Sequence, residues 1–233
     1  MKVLITGHTS GIGASLLDTF VNNGFLVYGI SRSISKKINI SNQIQVDLSL
    51  EDDIEKIQPW VSNLKPDIFF HCAGSNPITP LSEATSKIYK DCFNLHFLSA
   101  SQIIRTCLKV KKKDKPLKVL LLSSIWSLIS AHSRGPYSVS KNALNSLAKQ
   151  IAVEHGKSNV QAISIALGFV DTKLTKLTSG DINISSAKER YLFKSDKMPN
   201  ADKVATFLFN LSSQDFSMMN GNTINLDGGI ICQ

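Results

Sequence analysis

The sequence predicts an α/β protein built on an open, doubly wound parallel sheet, and three observations predict it. The β-rich run Lys2 to Thr6 passes through the glycine-rich turn Gly7-His8-Thr9-Ser10-Gly11-Ile12-Gly13 into the apolar-periodic stretch Ala14 to Val21, which reads as strand, loop and helix. Behind it, short apolar runs alternate with segments of helical period along the chain, the signature of strands joined by helical crossovers. Near the middle, Tyr137 and Lys141 follow Pro136 four residues apart, on one face of a helix that comes after the strand ending at Ser123-Ser124.

In order, the second strand is Phe25 to Ile30, ending in Ser31-Arg32, and the third is Ile44 to Val46, ending in Asp47-Leu48. Only the polar stretch Ser33 to Gln43 joins them, too short for the usual helical crossover, so a loop or one turn is expected there. Leu50 to Leu64 reads as one helix, Asp67 to Cys72 as a buried strand closed by Ala73-Gly74, and Lys87 to Val110 as a long helix. The run Leu117 to Leu122 is the fifth strand and Val160 to Ala166 the sixth, which leads out through Leu167-Gly168-Phe169-Val170-Asp171-Thr172. Residues 173 to 199 are polar and Lys-rich with a helical piece near Ser185 to Phe193, a pattern that suits a substrate lid better than a core element. Ala201 to Leu211 is a final helix and Asn222 to Leu226 a last strand, turned by Asp227-Gly228-Gly229.

The 233 residues fit one domain, with 42% hydrophobic and 19% charged positions, ordinary for a globular chain. No apolar run reaches the roughly 18 to 20 residues that cross a bilayer, so no membrane partner is expected. The apolar part of the amino terminus is too short for a secretory signal, and the expected location is the cytoplasm. Cys72, Cys92, Cys107 and Cys232 show no metal-ligand spacing and read as reduced thiols. The net charge of +8 is concentrated in Lys109-Val110-Lys111-Lys112-Lys113-Asp114-Lys115, where cations suit the end of the preceding helix. This patch has no interleaved aromatic residues, so nucleic-acid binding is not expected.

The candidate chemistry sits at Ser124, Tyr137 and Lys141. A free tyrosine titrates near ~10. A unit charge about 4 Å away, at an effective dielectric of 20, is worth roughly 4 kcal/mol, or roughly three pKa units, so an ammonium beside Tyr137 would let the phenol exchange protons near neutral pH. Ser124, at the carboxyl end of a strand, would face Tyr137 across the crevice where open parallel sheets bind ligands. Taken alone, a Tyr-x-x-x-Lys pair is two surface residues on a helix, a glycine-rich turn is only a turn, Asn94 is an exposed helix residue, and His71 and His96 are packing histidines.

Taken together and in order, these residues resemble the short-chain dehydrogenases/reductases over essentially the whole chain. Thr6-Gly7-x-x-x-Gly11-Ile12-Gly13 is similar to the family's cofactor loop, Asp47 to the acid beside the adenine, and Cys72-Ala73-Gly74 to its Asn-Ala-Gly element. Asn94, Ser124, Tyr137 and Lys141 are similar to its catalytic tetrad. Cys72 departs from the family's Asn, and Leu167 stands where Pro is common before Gly168.

The resemblance implies a single Rossmann-like domain with about seven parallel strands. It also implies cofactor contacts from Gly7, Thr9, Ser10, Gly11, Ile12 and Gly13, from Ser31, Arg32, Asp47 and Leu48, from Cys72, Ala73 and Gly74, and from Gly168, Val170 and Thr172. Tyr137 would give a proton to a carbonyl oxygen held by Ser124. Lys141 would lower the Tyr137 pKa and hold the nicotinamide ribose, and Asn94 would keep a water in the relay by locally breaking its helix. The implied activity is NAD(P)-dependent reduction of a small carbonyl compound or oxidation of the alcohol, in a homodimer or homotetramer built on the two long helices after strands four and five. Two other readings are a 3-oxoacyl carrier-protein reductase and a cofactor-sensing protein without turnover. Ser31 stands where NAD-preferring relatives offer an acid, and Arg32, Ser33, Lys36 and Lys37 follow it. This favours NADP(H), with NAD(H) possible.

Overall fold

Four strands are nearly continuous apolar runs, and burial explains why. The computed structural model describes residues 1–177, 189–192 and 198–232. In it β1 (Lys2–Thr6), β4 (Ile68–His71), β5 (Leu117–Ser124) and β6 (Val160–Leu167) are buried along almost their full length, because helices cover both faces of the sheet. Together with β2 (Leu26–Ser31), β3 (Gln43–Gln45) and β7 (Thr223–Leu226) they form one seven-stranded sheet in the order β3-β2-β1-β4-β5-β6-β7, parallel at every pairing.

Alternate side chains of each strand serve different cores. On one face Leu4, Phe69, Val119 and Leu121 pack with helices α2 (Glu51–Lys56), α3 (Gln58–Leu64), α5 (Ser99–Val110) and α6 (Gly135–His155). On the other, Val3, Ile5, Phe70, Leu120 and Leu122 meet Leu16, Leu17 and Phe20 of α1 (Gly11–Asn22) and Val204, Ala205 and Leu208 of a helix at Ala201–Ser213. A one-residue slip of any inner strand would exchange its two cores, which fixes the register.

The strand order reverses between β1 and β4, so the loops after their carboxyl ends diverge and leave a crevice. Between β2 and β3 the chain makes a single tight turn at Ile40–Asn42, as expected for so short a connection.

Two expected helices differ in detail. The stretch from Leu50 to Leu64 is two helices that break at Ile57, because Pro59 sits in the first turn of α3 and cannot continue the earlier hydrogen-bond ladder. The long helix before β5 is α4 (Ser86–Phe93), one π-turn at Asn94–Leu98, and α5. After β6 a short helix α7 (Lys173–Leu177) leads away, and the helix at Ala201–Ser213 is α8. The helical piece expected near Ser185 to Phe193 lies outside the described residues except for 189–192. Among the described residues no helix is long and apolar enough to cross a membrane, and no group of side chains could hold a metal ion.

Candidate active site

The crevice begins where β1 ends. Gly7 has φ +69°, and a Cβ there would lie 3.0 Å from the Ala73 backbone; one at Gly13 would lie 2.3 Å from the Gly7 carbonyl. The turn therefore closes only around glycines. Ser10, the residue before α1, is extended, its hydroxyl makes no capping bond, and the first turn of α1 carries no acid. The free N–H groups of that turn, at Gly11, Ile12 and Gly13, thus border the crevice as a cradle for an anion such as a pyrophosphate. Thr172 closes over the loop, with its side chain 3.6 Å from where a Gly11 Cβ would be. Thr9 does not line the cleft: its hydroxyl is 2.9 Å from Ser31 Oγ and accepts from Ser33 Oγ at 2.9 Å, tying the loop to the end of β2.

Ser31, Arg32, Asp47 and Leu48 line the far end of the cleft. Asp47 accepts from the backbone and hydroxyl of Ser49 at 2.9 and 2.7 Å, which fixes its carboxylate. Lys37, expected to add charge near Arg32, instead pairs with Asp18 on α1. A glutamine organises this wall. The Gln43 carboxamide donates to Ser35 O and Ile38 O, and its oxygen accepts from Ser35 N–H and His8 Nε2, the latter at 3.1 Å.

At the other end β5 carries Ser124 to the crevice and α6 brings Tyr137 and Lys141 beneath it. Tyr137 is 7% and Lys141 5% exposed, and the Ser124 hydroxyl is near enough to Tyr137 to pull its pKa down. Ser124 Oγ also accepts the Trp126 N–H at 3.2 Å. The Lys141 ammonium donates to the Leu122 carbonyl at 2.7 Å and lies 5.9 Å from the Tyr137 ring centre. Burial lowers its pKa to about 8.

The expected lowering of the Tyr137 pKa does not hold in this structure. Burial dominates and raises it above its ordinary value, against the opposing effects of the Ser124 hydroxyl and the Arg134 charge. Burial also pushes the Cys72 thiol up to about 12, so it stays protonated. Cys72, Ala73, Gly74, Gly168 and Val170 all line the cleft.

Asn94 opens the π-turn, in which the Ser99 N–H bonds the Asn94 carbonyl. Its side chain leaves the cleft and donates to the Ser49 carbonyl at 3.0 Å. Sequence reading missed Ser75, Asn76, Trp126 and Arg134, all in the cleft wall. Arg134 is 4% exposed and donates to Asn76 Oδ1 at 3.1 Å. Its place one helical turn before Tyr137 was the signal available in the sequence.

The cleft, about 400 Å³, can hold an anionic dinucleotide at one end and present a phenol, a hydroxyl and an ammonium at the other. A family model described as short chain dehydrogenase matches residues 1–183. A tropinone reductase homolog of Arabidopsis thaliana is 24% identical over 98% of this chain and 90% of its own length. A 3-oxoacyl-[acyl-carrier-protein] reductase of Salmonella typhimurium is 21% identical over 97% and 96%. A solved mutant of 4-hydroxyisoleucine dehydrogenase, complexed with NADH and succinate, superposes with a TM-score of 0.88 at 25% identity, covering 100% of this chain and 99% of that one.

Proposed function

The chain belongs to the short-chain dehydrogenase family, oxidoreductases acting on CH–OH and C=O groups, and on that premise we propose that it reduces a small ketone or aldehyde with NADPH. The observation that carries this reading is the buried Tyr137 phenol, beside the Ser124 hydroxyl and with the Lys141 ammonium nearby, at the end of a cleft whose other end is the glycine cradle. A nicotinamide dinucleotide supplies the hydride when bound. The first-turn N–H groups of α1 would hold its pyrophosphate, and Asp47 and Leu48 its adenine side. Ser124 would hold the substrate oxygen. Tyr137, a protonated phenol at neutral pH, would deliver the proton from its hydroxyl. Lys141 would bind the nicotinamide ribose. Trp126, Phe169 and Met198 line the cleft and would exclude water from the reacting carbon.

The preference for NADPH rests on Ser31 and Arg32. An acid at position 31 would repel a 2′-phosphate; Ser31 and the adjoining Thr9 and Ser33 hydroxyls are neutral donors, and Arg32 offers a forked cation. The NADH in the structural relative is a property of that enzyme, which makes the cofactor a direct test. Arg32→Ala should weaken NADPH selectively by about 1.5 to 3 kcal/mol, the range for a hydrogen bond to a charged group, and Ser31→Asp should turn the preference toward NADH. Equal loss of both cofactors in Arg32→Ala would refute the preference.

Activity is tested by oxidation of NADPH against a panel of ketones, keto sugars and ketoacyl thioesters. Tyr137→Phe should lose most turnover while NADPH still binds; turnover near wild type would refute the role given to Tyr137. The proposal includes a homodimer or homotetramer built through α5 and α6, where Val139 and Val153 are 50% and 82% exposed, to be checked by light scattering. It also includes residues 173–199 as a substrate lid, to be checked by hydrogen exchange with and without ligands.

A further inference from the structure

His96 belongs to none of the motifs that define the site, yet it is fully buried where three parts of the site meet. It sits inside the π-turn at Asn94–Leu98. Such a turn inserts one residue into the helix and re-aims the side chains around it. The ring lies edge-on to the Tyr137 ring, centres 5.7 Å apart at 85°. A Cβ at Gly74 would lie 3.4 Å from His96 Nε2 and 3.5 Å from Lys141 Nζ, so the cleft wall, the imidazole and the ammonium converge on a position without a side chain.

The hydrogen bonds of His96 have one consistent direction. The Ser75 backbone N–H can only donate, and it reaches His96 Nε2 at 3.0 Å. Nε2 is therefore the acceptor, and the neutral ring carries its proton on Nδ1. Nδ1–H then donates to Ser140 Oγ at 2.8 Å, and the Ser140 hydroxyl donates to the Tyr137 carbonyl at 2.8 Å. Burial first, then the charge of Lys141 and the nearby His71, hold the His96 pKa well below its usual value, so this neutral tautomer persists through the working pH range. The chain runs from a backbone group in the cleft wall to the backbone of the proton donor, with each of these donors used once.

We propose that His96 is a positioning residue that locks the Gly74–Ser75 wall of the cofactor cleft and Tyr137 into one unit. The proposal rests on the reductase reading for the role of Tyr137. A packing residue would be served by any side chain of the right volume; a positioning residue needs both ring nitrogens, each with its own effect.

Two substitutions separate the nitrogens. His96→Gln places a carboxamide oxygen near the Nε2 position and keeps the Ser75 link; His96→Asn places an amide nitrogen near the Nδ1 position and keeps the Ser140 link. Four quantities are measured: the NADPH Kd by fluorescence titration, kcat and KM on the carbonyl panel, and Tyr137 ionisation as an ultraviolet difference spectrum against Tyr137→Phe. His96→Asn should weaken NADPH binding by about tenfold, the most that one neutral hydrogen bond converts to, with kcat the less affected. His96→Gln should keep NADPH affinity, lower kcat, and move Tyr137 ionisation downward, because a looser ring gains water. Parallel losses of affinity and kcat that track the fall in melting temperature would overturn the proposal, as would no change in either variant. If wild type oxidises NADPH with no carbonyl, the reductase reading fails separately, and the split between NADPH affinity and Tyr137 ionisation still decides the role of His96.

Discussion

Lys141 is 5% exposed and donates to the Leu122 carbonyl at 2.7 Å, and burial still brings its pKa to about 8 from 10.5. The sign of the consequence follows from linkage. Between those two values the unfolded chain binds a proton that the folded chain has released, so stability rises with pH across that window. Below it the folded protein carries the full cost of a buried ammonium, roughly 3 kcal/mol as an upper bound from the size of the shift. Lys141→Met should therefore raise the urea midpoint at pH 7, by less than that bound because the Leu122 carbonyl loses its donor. The gain should vanish above the ordinary lysine range, while turnover and NADPH affinity collapse. A variant no more stable than wild type at pH 7 would show that the carbonyl bond outweighs the desolvation. The spacing of Ser124, Tyr137 and Lys141 was legible because a strand end and one helical turn fix it. The pKa direction of Tyr137 was not, because an argument from paired charges at an assumed distance contains no burial, and burial dominates here.

Strands and helices carry a second kind of information, in which one residue is small because another, distant in sequence, is large. Gly29 lies in the middle of β2, where a Cβ would come within 2.5 Å of the His8 ring. That ring is held from its other side by Gln43 of β3 at 3.1 Å, and Gln43 in turn holds the loop through Ser35 and Ile38. His8 thus links the glycine turn to the wall beside Ser31 and Arg32. Gly29→Ala should overpack this junction at about 1 to 3 kcal/mol and weaken NADPH binding as the turn shifts. Adding His8→Ala should relieve most of that penalty. Melting curves of both single variants and the double variant give the coupling, and a Gly29→Ala cost that is the same with and without His8 would refute the contact. From the sequence, Gly29 reads only as a weak spot in a strand, since the His8 ring above it is a tertiary fact. The π-turn was hidden for a related reason: α and π-turns share nearly one apolar pattern, and only hydrogen bonds distinguish them. Pro59 was legible and should have divided the helix before β4.

At the scale of the whole molecule, the two cores on either side of the sheet enclose three neutral histidines. His8 is 1% exposed, and His71 and His96 are fully buried. Burial lowers all three pKa values, that of His71 to about 3. Below the ordinary value of 6.5 the unfolded chain takes up protons that the folded chain refuses, so stability falls as pH falls. Each group contributes about 1.4 kcal/mol per pH unit until its own folded value is reached. Asp53 and Asp215 are held below 3.8 chiefly by backbone hydrogen bonds, and their contribution is lost only under that value. The window between is therefore governed by the histidines, and His71, with a folded value of about 3, contributes across the whole of it, against a total of about 5 to 15 kcal/mol for a typical domain. The protein should lose stability as pH falls below 6.5, at higher pH than its carboxylates alone would dictate. A circular dichroism titration checks this, with His71→Asn as the control because His71, held at about 3, resists protonation across the whole window and lies outside the His96 chain. The midpoint should move to lower pH in the variant relative to its own stability at pH 7. An acid midpoint unmoved by that substitution would mean that His71 accepts its proton without unfolding the sheet around it.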